Sequence, residues 1–259
     1  MLWLKKVKAD EDQGGYFMVK KLVVCCLDIL GYSRKVECSK DDEFFMENLH
    51  EMIRELEEEI KKSEENKSCL KIQTFSDSIF LFCEPKDFAV LLHYVSVFIF
   101  RVFKYGINLK QPRKDDDSKD GNIVQNEYTL VRGGISYGNI HIKKGEVFWG
   151  KAIIEAHEME SAIAIYPRIV LHSSIMEMLE EQKDEIKDFV DIKNSILDDF
   201  DFPYFNSLKF LSVKTGKDEV KNIIEDTKNL QKIVENEKNS KVRQKYLWLM
   251  RYFERIYSS

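Results

Sequence analysis

Asp28 lies in the run Val23, Val24, Cys25, Cys26, Leu27, Asp28, Ile29, Leu30, Gly31, where its neighbours all belong in a core. A carboxylate buried there is costly unless it is paired, hydrogen-bonded or metal-bound; the plainer alternative is a strand-end Asp capping the turn that follows. Asp77 sits at Ser76–Asp77 between two short apolar runs, and Asp is a common turn residue in its own right. Asp-Ser, however, is not among the favoured two-residue hairpin turns, which are Asn-Gly and Asp-Gly. If the strand carrying Asp28 pairs with this hairpin, both carboxylates land at one end of one sheet. Like charges brought that close call for divalent cations, and hard oxygen ligands favour Mg²⁺ or Mn²⁺. Directly after the strand come Ile29, Leu30, Gly31, Tyr32 and Ser33. A glycine-containing turn that opens a helix offers backbone N–H groups to phosphate oxygens. Carboxylates, two metal ions and a phosphate-holding turn are the parts of two-metal phosphoryl chemistry.

Positioning these groups requires a sheet. Residues 19–27 read as a central strand, and 40–66 as an amphipathic helix carrying Phe44, Phe45, Leu49, Met52, Ile53 and Leu56 on one face. LKIQTF and SIFLFC flank Ser76–Asp77 as a β-hairpin. An aromatic-rich buried helix follows at 86–104, then a polar surface loop at 107–126. YTLVRGGIS and NIHIKK around Tyr137–Gly138 read as a second hairpin, 150–165 as a helix and PRIVLH as a short strand. Beyond these lie a short helix near 173–182, an acidic loop at 195–202, a strand at SLKFLSV and helical sequence from about 216 to 257. The order predicts an α+β fold, an antiparallel sheet with helices packed against it. The expected division is a core domain over 18–215 and a C-terminal helical extension over 216–259, either an appendage or a packing arm.

Composition narrows the function classes. Forty basic residues against 45 acidic ones leave a formal charge of −5 in 259 residues, no footprint for duplex nucleic acid or an anionic membrane. The first seventeen residues lack the apolar core of a signal peptide, and the apolar stretch 88–103 is broken and too short to span a bilayer. No membrane insertion is expected. Five cysteines (Cys25, Cys26, Cys38, Cys69, Cys83) form no CxxC pair and have no histidine in metal-ligand spacing, which reads as reduced thiols in a cytoplasm. His50, His93, His141 and His172 are scattered.

Taken in series, the motifs resemble the class III nucleotide cyclase catalytic domain. LDILGYS is similar to that family's D-I-x-G-F-T segment, and KIQTFSDSIF to its K-I-x-T-x-G-D hairpin with Ser76 in place of glycine. LVRGGISYGNI resembles its R-x-G-I-x-x-G strand. VFWGKAIIEAHEMES resembles its W-G-x-x-V-N-x-A-x-R-M-E-S helix in Trp149, Gly150, Ala156, Met159, Glu160 and Ser161, and PRIVLHSS its next strand. The likeness covers roughly 20–175 and implies a ferredoxin-like antiparallel sheet. It implies two metal ions held by Asp28, Asp77 and the carbonyl of Ile29, and a triphosphate held by Leu30, Gly31, Tyr32 and Ser33. It also implies a homodimer whose sites form between two copies.

Departures from the family pattern bear on the substrate. Gln73 and Val147 stand at the base-reading positions, where purine cyclases carry Lys or Glu and Asp or Cys. Ile154 and Glu158 stand where the family has its ribose Asn and transition-state Arg. The pattern is closer to the pyrimidine cyclases of Pycsar-type bacterial anti-phage signalling, whose product is read by a separate cyclic-nucleotide-binding effector. UTP is expected ahead of CTP, with ATP as the alternative. Arg132 reads as a phosphate ligand or a structural ion pair, Lys151 as a phosphate ligand or a solvated surface lysine. His157 and Glu158, adjacent on a helix, do not face each other and read as surface or interface residues. Two other classes compete: a cyclase-like domain that binds nucleotide or a partner without turnover, and a palm-type polymerase or diguanylate cyclase. The last lacks a GGDEF-like segment, since Arg132–Gly133–Gly134 continues into Ile135–Ser136.

Overall fold

The computed structural model describes residues 18–31, 42–65, 70–75, 78–108, 129–143, 146–198, 202–215 and 230–257. The first strand, β1 (Met18–Leu30), is longer than the apolar run alone suggests, so Asp28 lies within it rather than at its end. Helix α1 (Asp42–Glu65) follows, then the hairpin β2 (Lys71–Phe75) and β3 (Ser78–Cys83), and after a 3₁₀ turn helix α2 (Phe88–Asn108). The expected loop at 107–126 begins inside α2, and its remainder lies outside the described residues. Strand β4 (Leu130–Lys143) leads to β5 (Glu146–Gly150), helix α3 (Lys151–Glu158), a π-turn (Met159–Ile163) and β6 (Ile169–Leu171). The chain continues through α4 (Ser173–Glu181), α5 (Phe189–Asn194), β7 (Ile196–Leu197), β8 (Tyr204–Phe205), α6 (Ser207–Thr215), a helical stretch at 230–236 and α7 (Ser240–Tyr257).

The strands form one mixed, mostly antiparallel sheet in the order β2-β3-β1-β4-β6-β8-β7, with β5 also on β4 and only the β4–β6 pair parallel. The fold is α+β, as the element order predicts. Because successive strand side chains face opposite ways, β1 feeds two cores. Val23, Cys25, Leu27 and Ile29 enter the larger one, against Leu49, Met52, Leu56 and Ile60 of α1 and Phe88, Leu91, Leu92, Val95, Phe98 and Val102 of α2. Those helical spacings are the apolar stripes that fold the helices onto the sheet. Leu22, Val24 and Cys26 face the other way, against Phe82, Ile140, Ile142 and Ala152 and Ala156 of α3.

Two expectations are corrected. No hairpin forms at Tyr137–Gly138: β4 runs unbroken and pairs with β1 from Met18↔Ile142 to Leu30↔Leu130. Gly138 lies inside the strand with its nearest neighbour, Ala152 Cβ, at an ordinary 3.5 Å, and it is Gly133 and Gly134 further along β4 that serve close packing. A Cβ on Gly134 would meet the Ala156 carbonyl oxygen at 2.2 Å, so its absence lets α3 lie on the strand. The hairpin falls instead between β4 and β5. SLKFLSV is helix rather than strand: the Asn206 side-chain oxygen accepts from the Lys209 N–H at 3.0 Å, a helix N-cap. Leu208, Phe210 and Leu211 then bury on the inner face.

The C-terminal helix packs rather than hangs. Tyr246, Leu249, Tyr252 and Phe253 of α7 join Leu230, Ile233 and Val234 in a second core with Phe103, Leu130, Tyr204 and Leu208. Tyr252 donates its hydroxyl to Asn206 Oδ1 at 2.6 Å. No helix among the described residues is long and apolar enough to cross a membrane.

Candidate active site

Asp28 continues the even-numbered face of β1, two residues beyond Cys26, at the point where apolar packing under α3 gives way to charge. Its cross-strand neighbours are Ser78 on β3 and Arg132 on β4. Arg132 Nε donates to Asp28 Oδ2 at 2.9 Å, and Arg132 Nη2 lies 2.8 Å from Glu160 Oε1. The second contact is an ion pair off the hydrogen-bond direction, so Glu160 Oε1 is buried without a hydrogen bond. Arg132 and Asp28 keep side-chain exposures of 23% and 16%, whereas Glu160 keeps 3%. Burial raises the Glu160 carboxyl above its usual range; Arg132 opposes that shift and Asp28 reinforces it. Two carboxylates thus share one guanidinium, leaving a negative excess in a partly buried place.

The π-turn puts Glu160 there. Ala164 N donates to Met159 O at 2.8 Å, an i→i+5 bond that widens the helix end just where it passes Gly134. His157, one α-turn earlier, sets Nδ1 3.2 Å from Glu160 Oε2. Cys26 faces the same cluster; burial pushes its thiol pKa up, helped by Glu160 and Asp28 and opposed by Arg132. Lys245 of α7 is electrostatically within reach as well: burial lowers its pKa, Arg132 lowers it further and Asp28 raises it. Sequence reasoning missed Cys26, Glu160 and Lys245 as neighbours of Asp28. A glutamate on the face of a helix otherwise built from Ala152, Ala156 and Met159 was the available signal for Glu160.

The remaining expected site residues fall in three groups. Asp77, Tyr32 and Ser33 lie outside the described residues, but Ser78, next to Asp77, is the direct partner of Asp28. Ile29, Leu30 and Gly31 close β1 beside Asp28. Gly31, just past the end of β1, has φ +82°, a left-handed conformation that glycine adopts without penalty. Gln73 is exposed on β2 opposite Phe80, which is opposite Cys26, so it shares Asp28's sheet face about 12 Å away, two strand spacings across and two residues along. Lys151 is not brought to Asp28 within one chain. The neighbouring Gly150 pairs with Ile140, eight residues along β4 from Arg132, a span of about 27 Å. Lys151 is 80% exposed and pairs with Glu155 at 3.1 Å. Val147 pairs with Ile142 on β5, while Ile154 is exposed.

No family model matches the chain, and no curated protein does. Among solved structures it is similar to the adenylyl cyclase CyaB from P. aeruginosa, with 18% identity and a TM-score of 0.43 over 64% of this chain and 83% of that one. Two structures of a bacterial light-regulated adenylyl cyclase are similar at 13% identity, with TM-scores of 0.45 and 0.46 over 63% of this chain. The chain covers 46% of the length of those two, about half. Likenesses this distant assign the chain neither an activity nor a site residue.

Proposed function

We propose that the chain is a nucleotide cyclase that converts a nucleoside triphosphate to a 3′,5′-cyclic nucleotide and pyrophosphate. The observation that supports this best is the register Asp28↔Ser78, which puts the residue after Asp77 directly across from Asp28. In this reading Asp28, Asp77 and the Ile29 carbonyl hold two Mg²⁺ or Mn²⁺ ions, and Leu30, Gly31, Tyr32 and Ser33 hold the triphosphate. The donor set fits: carboxylate and carbonyl oxygens are what hard divalent ions prefer. When bound, the ions lower the pKa of the attacking ribose hydroxyl and stabilise the departing pyrophosphate. Arg132 orients Asp28 and neutralises it until substrate arrives.

The chain acts as a homodimer. Lys151 and Asp28 are too far apart within one chain to hold one triphosphate, so Lys151 acts on the site of a second copy; that Gln73 also reads the base there follows from the family resemblance and not from distance. Trp149 and Ile154, 50% and 60% exposed around α3, are apolar surface for that contact. Two-fold symmetry then gives two equivalent sites. The substrate is a pyrimidine triphosphate, UTP ahead of CTP, because neutral Gln73 offers both a donor and an acceptor and Val147 offers neither. The product is a cytoplasmic second messenger, read by a separate cyclic-nucleotide-binding effector in anti-phage defence.

Purified protein with Mn²⁺ is given ATP, GTP, CTP and UTP together, and the products are separated by chromatography. A cyclic pyrimidine nucleotide peak is expected, and Asp77→Ala lowers it by orders of magnitude while leaving the protein folded. A dominant cyclic AMP or cyclic GMP peak overturns the pyrimidine assignment alone; undiminished turnover by Asp77→Ala overturns the site. A second reading, nucleotide or partner binding without turnover, is favoured by one observation: the Asp28 carboxylate is engaged by Arg132. Nucleotide binding by calorimetry with no product at any metal concentration establishes it.

A further inference from the structure

We propose that Cys26, His157 and Glu160 form a Zn²⁺ site that clasps β1 to the junction of α3 and the π-turn. The site is separate from the Mg²⁺ or Mn²⁺ ligands, and the proposal stands whether or not the chain turns over a nucleotide. One ligand atom from each of the three residues lies within 4.8 Å of the others. Tetrahedral Zn²⁺ holds sulfur, nitrogen and oxygen at about 2.0–2.3 Å, which spaces them roughly 3.3–3.8 Å apart. His157 Nδ1 and Glu160 Oε2 are already 3.2 Å apart, so the cluster needs only a small contraction around an ion. His157 is the exposed member and is free to make it, and its open side leaves room for water as a fourth ligand.

Charge argues the same way. Without a metal, Asp28 and Glu160 share the Arg132 guanidinium, and the further cation, half-buried Lys245, acts on Asp28. On binding, the Cys26 thiol gives its proton to solvent and binds as thiolate. A divalent ion then balances that thiolate and the Glu160 carboxylate, His157 stays neutral, and Arg132 is left to balance Asp28. Glu160 presents Oε2 towards His157 while Oε1 faces Arg132, so the guanidinium supports the ligating carboxylate from behind, as outer partners do in metal centres. Thiolate and imidazole select Zn²⁺ over Mg²⁺, which prefers all-oxygen sites such as the one proposed at Asp28. The two sites lie about 7 Å apart along β1. The ligands come from a strand and from a helix end with no motif spacing between them.

The test uses the full chain, stripped of metal and titrated with Co²⁺, whose thiolate complexes absorb strongly in the near ultraviolet. One equivalent is expected to produce the thiolate-to-cobalt band, and Zn²⁺ is expected to displace it. His157→Ala, at an exposed position that does not endanger folding, should weaken binding by at least the roughly 10–100-fold that even outer-shell partners are worth. Cys26→Ser should abolish the band, while Cys25→Ser, on the opposite face of β1, should retain it. Absence of the band in the wild-type protein overturns the proposal. A band equally strong and equally tight in His157→Ala overturns it too, because the metal then sits on other thiols. Zn²⁺ should also raise the melting temperature of the wild-type protein and not that of His157→Ala; equal shifts count against the clasp.

Discussion

Val23, Cys25, Leu27 and Ile29 leave β1 on one side and join an apolar core with α1, α2 and the adjoining strands. Val24, Cys26 and Asp28 leave it on the other side, where packing under α3 passes within four residues from aliphatic to thiol to an ion-paired carboxylate. One strand therefore supplies both part of the larger apolar core and a part-buried charge cluster. A polar group placed among the apolar side chains of the first face would be costly unless it found a hydrogen-bond partner. The second face holds Asp28 and Glu160 because Arg132 reaches both, with His157 against Glu160 and Lys245 near Asp28. Stability and chemistry are separated by the alternation of a single strand, and substitutions on the two faces should fail in different ways.

The largest effect is expected on the apolar face. Leu27→Ala removes a fully buried side chain and should cost about 2–5 kcal/mol in urea unfolding; a loss below 1 kcal/mol would mean the two faces are not so unlike. Gly134→Ala comes next, because its Cβ would lie 2.2 Å from the Ala156 oxygen and 2.5 Å from Met159 Cβ. Forcing α3 off the sheet should cost about 1–3 kcal/mol. The same change at Gly138, where the nearest atom is Ala152 Cβ at 3.5 Å, should stay within about 0.5 kcal/mol.

On the charged face, Arg132→Leu leaves two carboxylates without their cation, at a cost of about 1–3 kcal/mol moderated by partial exposure. Adding Glu160→Gln to that variant should recover part of the loss, and a double-mutant cycle reads the coupling directly. Additive losses would show that Arg132 does not bind the cluster together.

A small electrostatic effect is expected at the rim. Glu84 takes an ion pair from Lys86 at 2.8 Å and another from Lys20 at 3.7 Å. The Lys86 hydrogen bond, foremost, holds its carboxyl below the usual 4.5. A depressed carboxyl pKa stabilises the fold above the unfolded value, and that contribution is lost as pH falls through the folded value. Glu84→Gln should therefore cost about 0.2–1 kcal/mol near neutrality, with the gap closing below pH 4.5 in denaturation series. A gap that widens in acid would reverse the assignment.

What could be read in advance followed the strength of local pattern. β1 was legible as a continuous apolar run, the β2–β3 hairpin as two short runs about a turn, and α1 by its helical period, with Leu49, Met52 and Leu56 buried as that period says. Tyr137–Gly138 misled because a glycine between two apolar runs reads as a turn, whereas the unbroken pairing of β4 with β1 carries Gly138 straight through as an ordinary strand residue. Leu208, Phe210 and Leu211 misled because a short apolar run suits either element; the Asn206 cap just before them was the deciding residue. Arg132 was legible as an ion pair or a phosphate ligand, and the ion pair to Asp28 is present. The Cys26–His157–Glu160 cluster was not legible. It joins a strand to a helix end more than a hundred residues away, and the π-turn alters the helical phase that spacing rules assume.

The second core carries a consequence for how the molecule is made. Phe103, Leu130, Tyr204 and Leu208 belong to segments synthesised well before their partners Tyr246, Leu249, Tyr252 and Phe253. Until α7 emerges, a nascent chain whose sheet has already formed presents an uncovered aromatic surface on the side of α2 and β8, the kind of surface chaperones bind. Truncation before residue 240 would therefore leave an adhesive protein rather than a shorter one. A separately made peptide spanning 230–257 would be the natural reagent to restore its solubility.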